Sequence, residues 1–132
     1  LDTPTAALIL GTGGAAQAVT AALEKSGCSI TFVSRSKKSN TLTYESLTSE
    51  IIRQHPLIIN TTPLGMFPNT NKFPHIDYEN LTQNHTLIDL IYNPEETLFL
   101  KKGKAKGAQI CNGMTMLISQ AEASWKIWNN NF

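Results

Sequence analysis

The chain has little of what several common classes of functional site require. Its 132 residues include only 2 cysteines and 3 histidines, and neither set has the close spacing of a metal site or of a C-x-x-C redox motif. We therefore expect no bound metal. A net charge of +1 gives no reason to expect nucleic acid or a membrane surface as a partner. No apolar run approaches the length that crosses a bilayer, and we expect a cytoplasmic protein.

A glycine-rich turn follows the first apolar run. Residues 6–10 are all apolar, as in a strand buried on both faces of a parallel sheet, and Gly11-Thr-Gly-Gly-Ala-Ala16 comes directly after them. The turn matches the pattern G-x-G-x-x-(G/A), in which a pyrophosphate lies on the N–H groups of the following helix. A predicted helix over residues 15–26, closed by Gly27, supplies the context that the pattern needs. The predicted pyrophosphate contacts are Gly11, Gly13, Gly14 and Ala15.

Acidic residues are absent from the next part of the chain. No Asp or Glu occurs between Glu24 and Glu45, although a strand predicted over residues 29–33 ends in this interval. Enzymes that bind NAD usually place an acid at the end of this strand, where it binds the ribose 2′-hydroxyl. Here the strand ends in Ser34, Arg35 and Ser36, with Lys37 or Lys38 as a further charge. Because a guanidinium binds phosphate through charge-assisted hydrogen bonds, the pattern favours NADP(H); an exposed basic loop is the alternative interpretation.

Strand and helix signals alternate along the rest of the chain. This pattern predicts an α/β fold of the Rossmann-like, doubly wound type, with a mainly parallel sheet of about six strands and helices on both faces. We expect a single domain over residues 1–132. The later predicted elements are a helix over 44–54, strands over 57–60 and 86–90, a helix over 97–106 closed by Gly107, a strand over 109–111 and a helix over 114–128.

Further motifs follow the later strands, at the edge of the sheet where open parallel sheets bind ligands. They are Asn60-Thr-Thr-Pro-Leu-Gly-Met66, Asp89-Leu-Ile-Tyr-Asn-Pro94 and Asn112-Gly-Met-Thr-Met-Leu-Ile-Ser-Gln-Ala121. Each also has a structural interpretation, because its prolines and glycines stop strands and turn the chain. Together with the glycine turn, Ser34-Arg35-Ser36 and Thr97-Leu-Phe-Leu100, they make six motifs in order. With this set the chain resembles the C-terminal, NADP-binding domain of shikimate dehydrogenases over nearly all of its length.

The resemblance implies the cofactor lobe of an enzyme that reversibly reduces 3-dehydroshikimate to shikimate by hydride transfer. It adds Lys38 to the contacts of the 2′-phosphate and assigns the other motif residues to the cleft. The residues near the cofactor ribose would be Asn60, Thr61 and Thr62. The nicotinamide would be approached by the backbone of Leu90 and Gly113, and the substrate would be contacted by Tyr92 and Gln120.

In this family the Lys and Asp that transfer protons belong to an N-terminal domain, which we expect to be absent from this chain. We therefore expect no catalytic residue in the chain, a substrate site shared with the missing domain, and cofactor binding without turnover. The alternatives are the nucleotide lobe of a quinate/shikimate dehydrogenase or of a folate-type dehydrogenase, or an NADP-sensing module without catalysis.

Overall fold

A computed structural model of the protein describes residues 5–113, in which strands and helices alternate. The strands are β1 (Ala6–Leu10), β2 (Ser29–Ser34), β3 (Thr41–Thr43), β4 (Leu57–Asn60), β5 (Thr86–Asp89) and β6 (Gln109–Asn112). The α-helices are α1 (Gly14–Glu24), α2 (Ser49–Gln54) and α3 (Leu98–Ala105), and short 3₁₀ turns occupy Tyr44–Ser46 and Tyr78–Asn80.

The six strands form one sheet in the order β3-β2-β1-β4-β5-β6, and every neighbouring pair is parallel. The chain moves outward from β1 to β3 and then returns to the other side of β1 to form β4. The predicted doubly wound fold is therefore confirmed. Because the strand order reverses between β1 and β4, the carboxyl ends of these two strands flank a crevice, which is the usual ligand site of such sheets.

Both faces of the central strands are buried. Ala7 and Ile9 of β1 pack on the face that α1 covers, whereas Leu8 and Leu10 pack on the opposite face with residues of α2 and α3. Successive side chains of a strand point to opposite faces, so a strand covered on both sides must be apolar at every position. This burial explains the unbroken apolar run that predicts β1.

The helices α1 and α3 end in the same way, at glycines. In α1 the N–H of Gly27 bonds to the carbonyl of Glu24 at 3.1 Å, and the N–H of Cys28 bonds to that of Leu23 at 3.3 Å. Gly27 has a φ of 79° and Gly107, after α3, has a φ of 88°. This left-handed conformation closes the helix and costs little only for glycine. Both predicted helix ends are confirmed to within a few residues.

The predicted helix over residues 44–54 is wrong in its first half. Its first residues form the 3₁₀ turn, and α2 begins only after Thr48, whose Oγ1 accepts a hydrogen bond from the N–H of Ile51 at 3.2 Å. A threonine hydroxyl that caps a helix in this way fixes where the helix starts. Directly before the 3₁₀ turn lies β3, a three-residue edge strand that the sequence pattern does not predict.

The connection from β2 to β3 is short for two parallel neighbours, which usually need a crossover of about a dozen residues or more. Here residues 35–40 make the whole connection, without a helix. The N–H of Thr41 donates to the carbonyl of Lys38 at 3.2 Å, and Asn40 has a left-handed φ of 60°. This loop, residues 35–40, contains Arg35, Ser36 and Lys38, three of the four residues predicted to bind a 2′-phosphate.

The predicted helix over residues 114–128 and the candidate substrate residue Gln120 lie outside the described residues. Within residues 5–113, no helix is both long and apolar enough to cross a membrane. The same part of the chain holds no cluster of three or more His, Cys, Asp or Glu side chains that could bind a metal ion.

Candidate functional site

A cleft of about 370 Å³ opens beyond the carboxyl ends of β1, β2 and β4. Three segments line it: the turn after β1, the loop after β2 and the segment after β4. The lining residues are Gly11, Thr12, Gly13, Val33, Ser34, Arg35, Ser36, Lys38, Tyr44, Thr61, Thr62, Pro63 and Leu64. The fold therefore brings together most of the predicted cofactor residues, which the sequence distributes over three separate motifs. We call this space the first cleft.

Gly11 is required by the protein itself. It has a φ of 112°, and its N–H donates to the carbonyl of Val33 at 2.8 Å. A Cβ atom at this position would lie 2.5 Å from the Oγ1 atom of Thr61. That hydroxyl in turn donates to the carbonyl of Leu10 at 2.6 Å. The carboxyl ends of β1 and β4 thus approach so closely that only glycine fits between them.

Gly13 and Gly14 have no such internal reason to be glycine. Among the described residues, no atom outside the adjoining stretch of chain lies within 4 Å of a Cβ built on either residue. Gly13 caps α1 without a side-chain acceptor, and the first turn, which includes Ala15, carries no acid. The first N–H groups of a helix have no partner within the helix. The start of α1 therefore offers free space, N–H donors and the positive end of the helix dipole, which together suit an anion.

The loop after β2 presents its charges at the edge of the first cleft. Arg35 and Ser36 are exposed, whereas Ser34 is buried and its hydroxyl donates to the backbone carbonyl of Ser36. Lys38 extends across the opening, where its Nζ atom donates to the Oγ1 atom of Thr12 at 3.0 Å. The positively charged side chains of Arg35 and Lys38 thus lie at one end of this cleft, and Lys38 reaches the glycine turn.

Tyr44 is a lining residue of the first cleft that the sequence analysis does not identify. Burial raises the pKa of its hydroxyl, and the nearby charge of Arg35 opposes that shift. Tyr44 and the Arg35 guanidinium, which is predicted to bind a 2′-phosphate, therefore line the same cleft within electrostatic range of each other. The position of Tyr44 depends on the short edge strand β3, which directly precedes it.

A second cleft, of about 430 Å³, adjoins the first and shares Thr61, Thr62 and Pro63 with it. Its other lining residues are Met66, Phe67, Leu90, Ile91, Tyr92 and Asn93. They belong to the segments after β4 and β5, which meet where the N–H of Phe67 donates to the carbonyl of Asn93 at 3.0 Å. The Tyr92 side chain is 77% exposed. This second cleft is mainly apolar and contains the predicted nicotinamide residue Leu90 and the predicted substrate residue Tyr92.

Four predicted cofactor residues do not line either cleft: Gly14 and Ala15, which lie in the first turn of α1, and Gly113 and Asn60. Gly113 follows β6, and its N–H donates to the carbonyl of Asp89 at 3.0 Å. Asn60 lies beneath the clefts with 0% exposure. Its Oδ1 accepts from the hydroxyl of Thr62 at 2.6 Å, and its Nδ2 donates to Oδ1 of Asp89 at 3.1 Å. The side chain of Asn60 is therefore bonded inside the protein rather than directed at a ligand.

Asp89, the partner of Asn60, is a buried acid between the segments that form the second cleft. Burial raises its pKa to about 6, while hydrogen bonds from Thr97, the backbone of Ile91 and Asn60 oppose the shift. The sequence motif contains Asp89, but a polar residue that ends a buried strand can equally well face a ligand or an internal partner. Only the three-dimensional partners distinguish these two cases.

The parallel sheet, its strand order, and the glycine turn beside a cleft at the strand ends define this chain as a Rossmann-like domain. No protein-family model matches the chain. The chain is 38% identical to a shikimate dehydrogenase (NADP⁺) of Methanococcus aeolicus, over 92% of this chain and 48% of that protein. It is 42% identical to that of Clostridium beijerinckii, over 92% of this chain and 47% of that protein.

A solved structure gives the same result. Shikimate 5-dehydrogenase from Thermus thermophilus, in complex with NADP(H) and shikimate, superimposes with a TM-score of 0.70 and 28% identity, over 94% of this chain and 49% of that one. The resemblance in the motifs is therefore confirmed: the chain is homologous to part of the shikimate dehydrogenases. It spans about half the length of the curated relatives it matches.

Proposed function

We propose that the chain is the NADP(H)-binding lobe of a cytoplasmic shikimate dehydrogenase, an enzyme that reversibly reduces 3-dehydroshikimate to shikimate. The observation that carries this proposal is the composition of the first cleft. A glycine turn at a helix start and a basic loop without acids face the same space, at the point where the strand order reverses. The relatives that match are named as NADP⁺ enzymes, which supports the same cofactor.

In this proposal the cofactor pyrophosphate binds at the start of α1. Gly13 and Gly14 leave room for its oxygens, and the first N–H groups of the helix, including that of Ala15, donate to them. The adenosine 2′-phosphate lies against Arg35, Ser36 and Lys38. Because the Ser34 hydroxyl already bonds within the loop, Ser34 contributes by holding the loop in shape rather than by a direct contact.

The rest of the cofactor extends from the first cleft into the second. Thr61 and Thr62 line both clefts and would lie beside the ribose. Leu90 lines the second cleft, where its backbone would approach the nicotinamide. We retain Gly113 as a backbone contact, although its N–H is already bonded to Asp89. For Asn60 we propose an indirect role, because its side chain is buried.

The chemistry of the reaction divides between the cofactor and the protein. Bound NADPH would supply the hydride, and the protein must supply orientation and a proton donor. Among the described residues, the titratable side chains that line the clefts are Arg35, Lys38, Tyr44 and Tyr92. The first three lie in the first cleft, remote from the proposed nicotinamide position. We assign orientation to this chain and the proton-transferring Lys and Asp to a further domain, with Tyr92 and Gln120 as substrate contacts.

Calorimetric titration with NADPH and an assay of NADP⁺-linked shikimate oxidation together test the proposed function. We expect the chain alone to bind NADPH with a measurable Kd and to show no turnover. Absence of NADPH binding would contradict the cofactor assignment. Turnover of shikimate by the chain alone would show that the proton-transferring groups are present here. To separate the alternatives, the chain is combined with the substrate domain of a relative and assayed with quinate and with tetrahydrofolate substrates. Activity on one of these substrates would indicate the corresponding related dehydrogenase, and a sensor would show no activity.

A further inference from the structure

The carboxylate of Asp89 joins three segments of the chain inside the protein. It lies at the end of β5 with 0% exposure. Its Oδ1 atom accepts from Nδ2 of Asn60 at 3.1 Å and from the N–H of Ile91 at 3.0 Å. Its Oδ2 atom accepts from the hydroxyl of Thr97 at 2.6 Å. Each donor belongs to a different part of the fold: the end of β4, the loop after β5, and the start of α3.

The first of these hydrogen bonds fixes the segment after β4. Because Asp89 accepts from Nδ2, the Asn60 amide must turn its oxygen toward Thr62. That oxygen accepts from both the N–H and the hydroxyl of Thr62, at 3.0 and 2.6 Å. The Thr62 hydroxyl then accepts from the N–H of Leu64 at 3.2 Å. The shape of the segment from Thr61 to Leu64 thus follows from the orientation of one buried amide.

The other two hydrogen bonds fix the opposite side of the second cleft. The N–H of Ile91 holds the chain where it leaves β5 and enters the lining of this cleft. The hydroxyl of Thr97 also accepts from the N–H of Leu100 at 3.4 Å and so caps α3. Asp89 therefore connects both walls of the second cleft to a rigid helix, although Asp89 itself lines neither cleft.

We propose that Asp89 is a positioning residue for the nicotinamide half of the cofactor, acting through Asn60 and the backbone of Ile91. This inference rests on the proposed function. The second cleft is lined by the two segments that the carboxylate joins. The adenosine end of the first cleft is instead formed by the loop after β2, which supplies none of the three hydrogen-bond donors described for the Asp89 carboxylate. Loss of the carboxylate should misplace the nicotinamide subsite and leave the 2′-phosphate subsite intact.

The test compares two ligands on the full chain. NADP⁺ occupies both halves of the proposed site, and adenosine 2′,5′-bisphosphate occupies only the adenosine half. Asp89→Asn keeps the shape but replaces one acceptor by an NH₂ group that faces a donor. Calorimetry should show the Kd for NADP⁺ rising roughly 5- to 50-fold, with the Kd for the bisphosphate within about twofold of the original value. Thr97→Val removes one donor and should give the same pattern with a smaller change.

His85→Gln is the matched control. His85 is buried at the opposite end of β5, where Nε2 bonds to the carbonyl of Ile52 at 2.8 Å and Nδ1 accepts from the N–H of Thr82 at 3.1 Å. This variant should lower the free energy of unfolding without changing either Kd. An unchanged Kd for NADP⁺ in folded Asp89→Asn, or an equal loss for both ligands, would overturn the inference. If Asp89→Asn does not fold, the same criteria apply to Thr97→Val. If the unsubstituted chain binds neither ligand, the proposed function itself is refuted.

Discussion

The Nζ atom of Lys38 donates a hydrogen bond to the Oγ1 atom of Thr12 at 3.0 Å. This contact crosses the opening of the first cleft and joins the loop after β2 to the glycine turn after β1. In the proposed complex the 2′-phosphate lies on one side of the lysine and the pyrophosphate on the other. The ammonium is therefore near both groups, unlike Arg35, which serves the 2′-phosphate.

Lys38→Met should weaken both NADPH and NADH, because both cofactors carry the pyrophosphate, and should weaken NADPH somewhat more, because its 2′-phosphate also lies against Lys38. The side chain is exposed, so the expected loss is small, about 0.5–1 kcal/mol, and it should shrink as salt is added. Calorimetric titrations at low and high salt measure it. Lys37→Met is the matched control, since Lys37 is exposed and does not line the first cleft, and it should leave both affinities unchanged.

Substitutions of two glycines in the turn should affect different properties: Gly11→Ala should lower stability, and Gly13→Ala should lower NADPH affinity. Gly11→Ala should lower the free energy of unfolding by about 1–3 kcal/mol, since its Cβ would overlap the Thr61 hydroxyl. Gly13→Ala should change stability by less than about 1 kcal/mol, because its Cβ meets no other atom in the part of the chain that the structure describes, apart from its own neighbours in sequence, and its φ of −84° suits any residue. Thermal unfolding and NADPH titration separate the two. Full NADPH affinity in Gly13→Ala would show that no ligand approaches that backbone.

Tyr92→Phe should leave the NADPH affinity of the chain within about twofold, because the side chain is 77% exposed and lies at the outer part of the second cleft. In the complete enzyme the same change should raise the KM for shikimate. A large loss of NADPH affinity in the chain would instead assign Tyr92 to the cofactor subsite.

Asp89 should make stability depend on pH in an unusual direction. Its pKa in the folded protein, about 6, lies above the ordinary value of 3.8, so the folded state holds the proton more tightly than the unfolded state. The contribution of Asp89 to the free energy of unfolding is therefore greatest below about pH 4 and falls by roughly 2–3 kcal/mol as the pH rises to about 6. The quantity to measure is the free energy of unfolding of the unsubstituted chain minus that of Asp89→Asn, obtained by denaturant unfolding at pH 4, 5 and 7. This difference should fall as the pH rises. A difference that stays constant, or grows with pH, would show that the carboxylate is not destabilised by its burial.

The central strands and the helix ends could be predicted because their causes are local. The apolar run from Ala6 to Leu10 reflects burial on both faces, and Gly27 and Gly107 occupy backbone conformations that favour glycine. The edge strand β3 could not be predicted, because three residues beside a short connection carry no periodicity. Tyr44, which β3 places in the first cleft, was missed for the same reason.

The buried pair of Asn60 and Asp89 marks the other limit of prediction from sequence. Both residues end buried strands at the ligand edge of the sheet, where a polar side chain is equally suited to a ligand or to an internal partner. Their strands are neighbours only because the chain crosses over between them, and their hydrogen bond is a tertiary contact. Glycine turns and basic loops can be recognised along the chain, whereas such a contact depends on the fold.

The most direct test of the proposed cofactor site is the effect of Arg35→Ala on the Kd values for NADPH and NADH, measured by calorimetry under identical conditions. The original chain should bind NADPH more tightly than NADH. The substitution should cost about 1–3 kcal/mol for NADPH and much less for NADH, because only NADPH carries the phosphate that the guanidinium binds. Equal losses for the two cofactors, or an original chain without a preference for NADPH, would contradict the assignment of the basic loop to the 2′-phosphate.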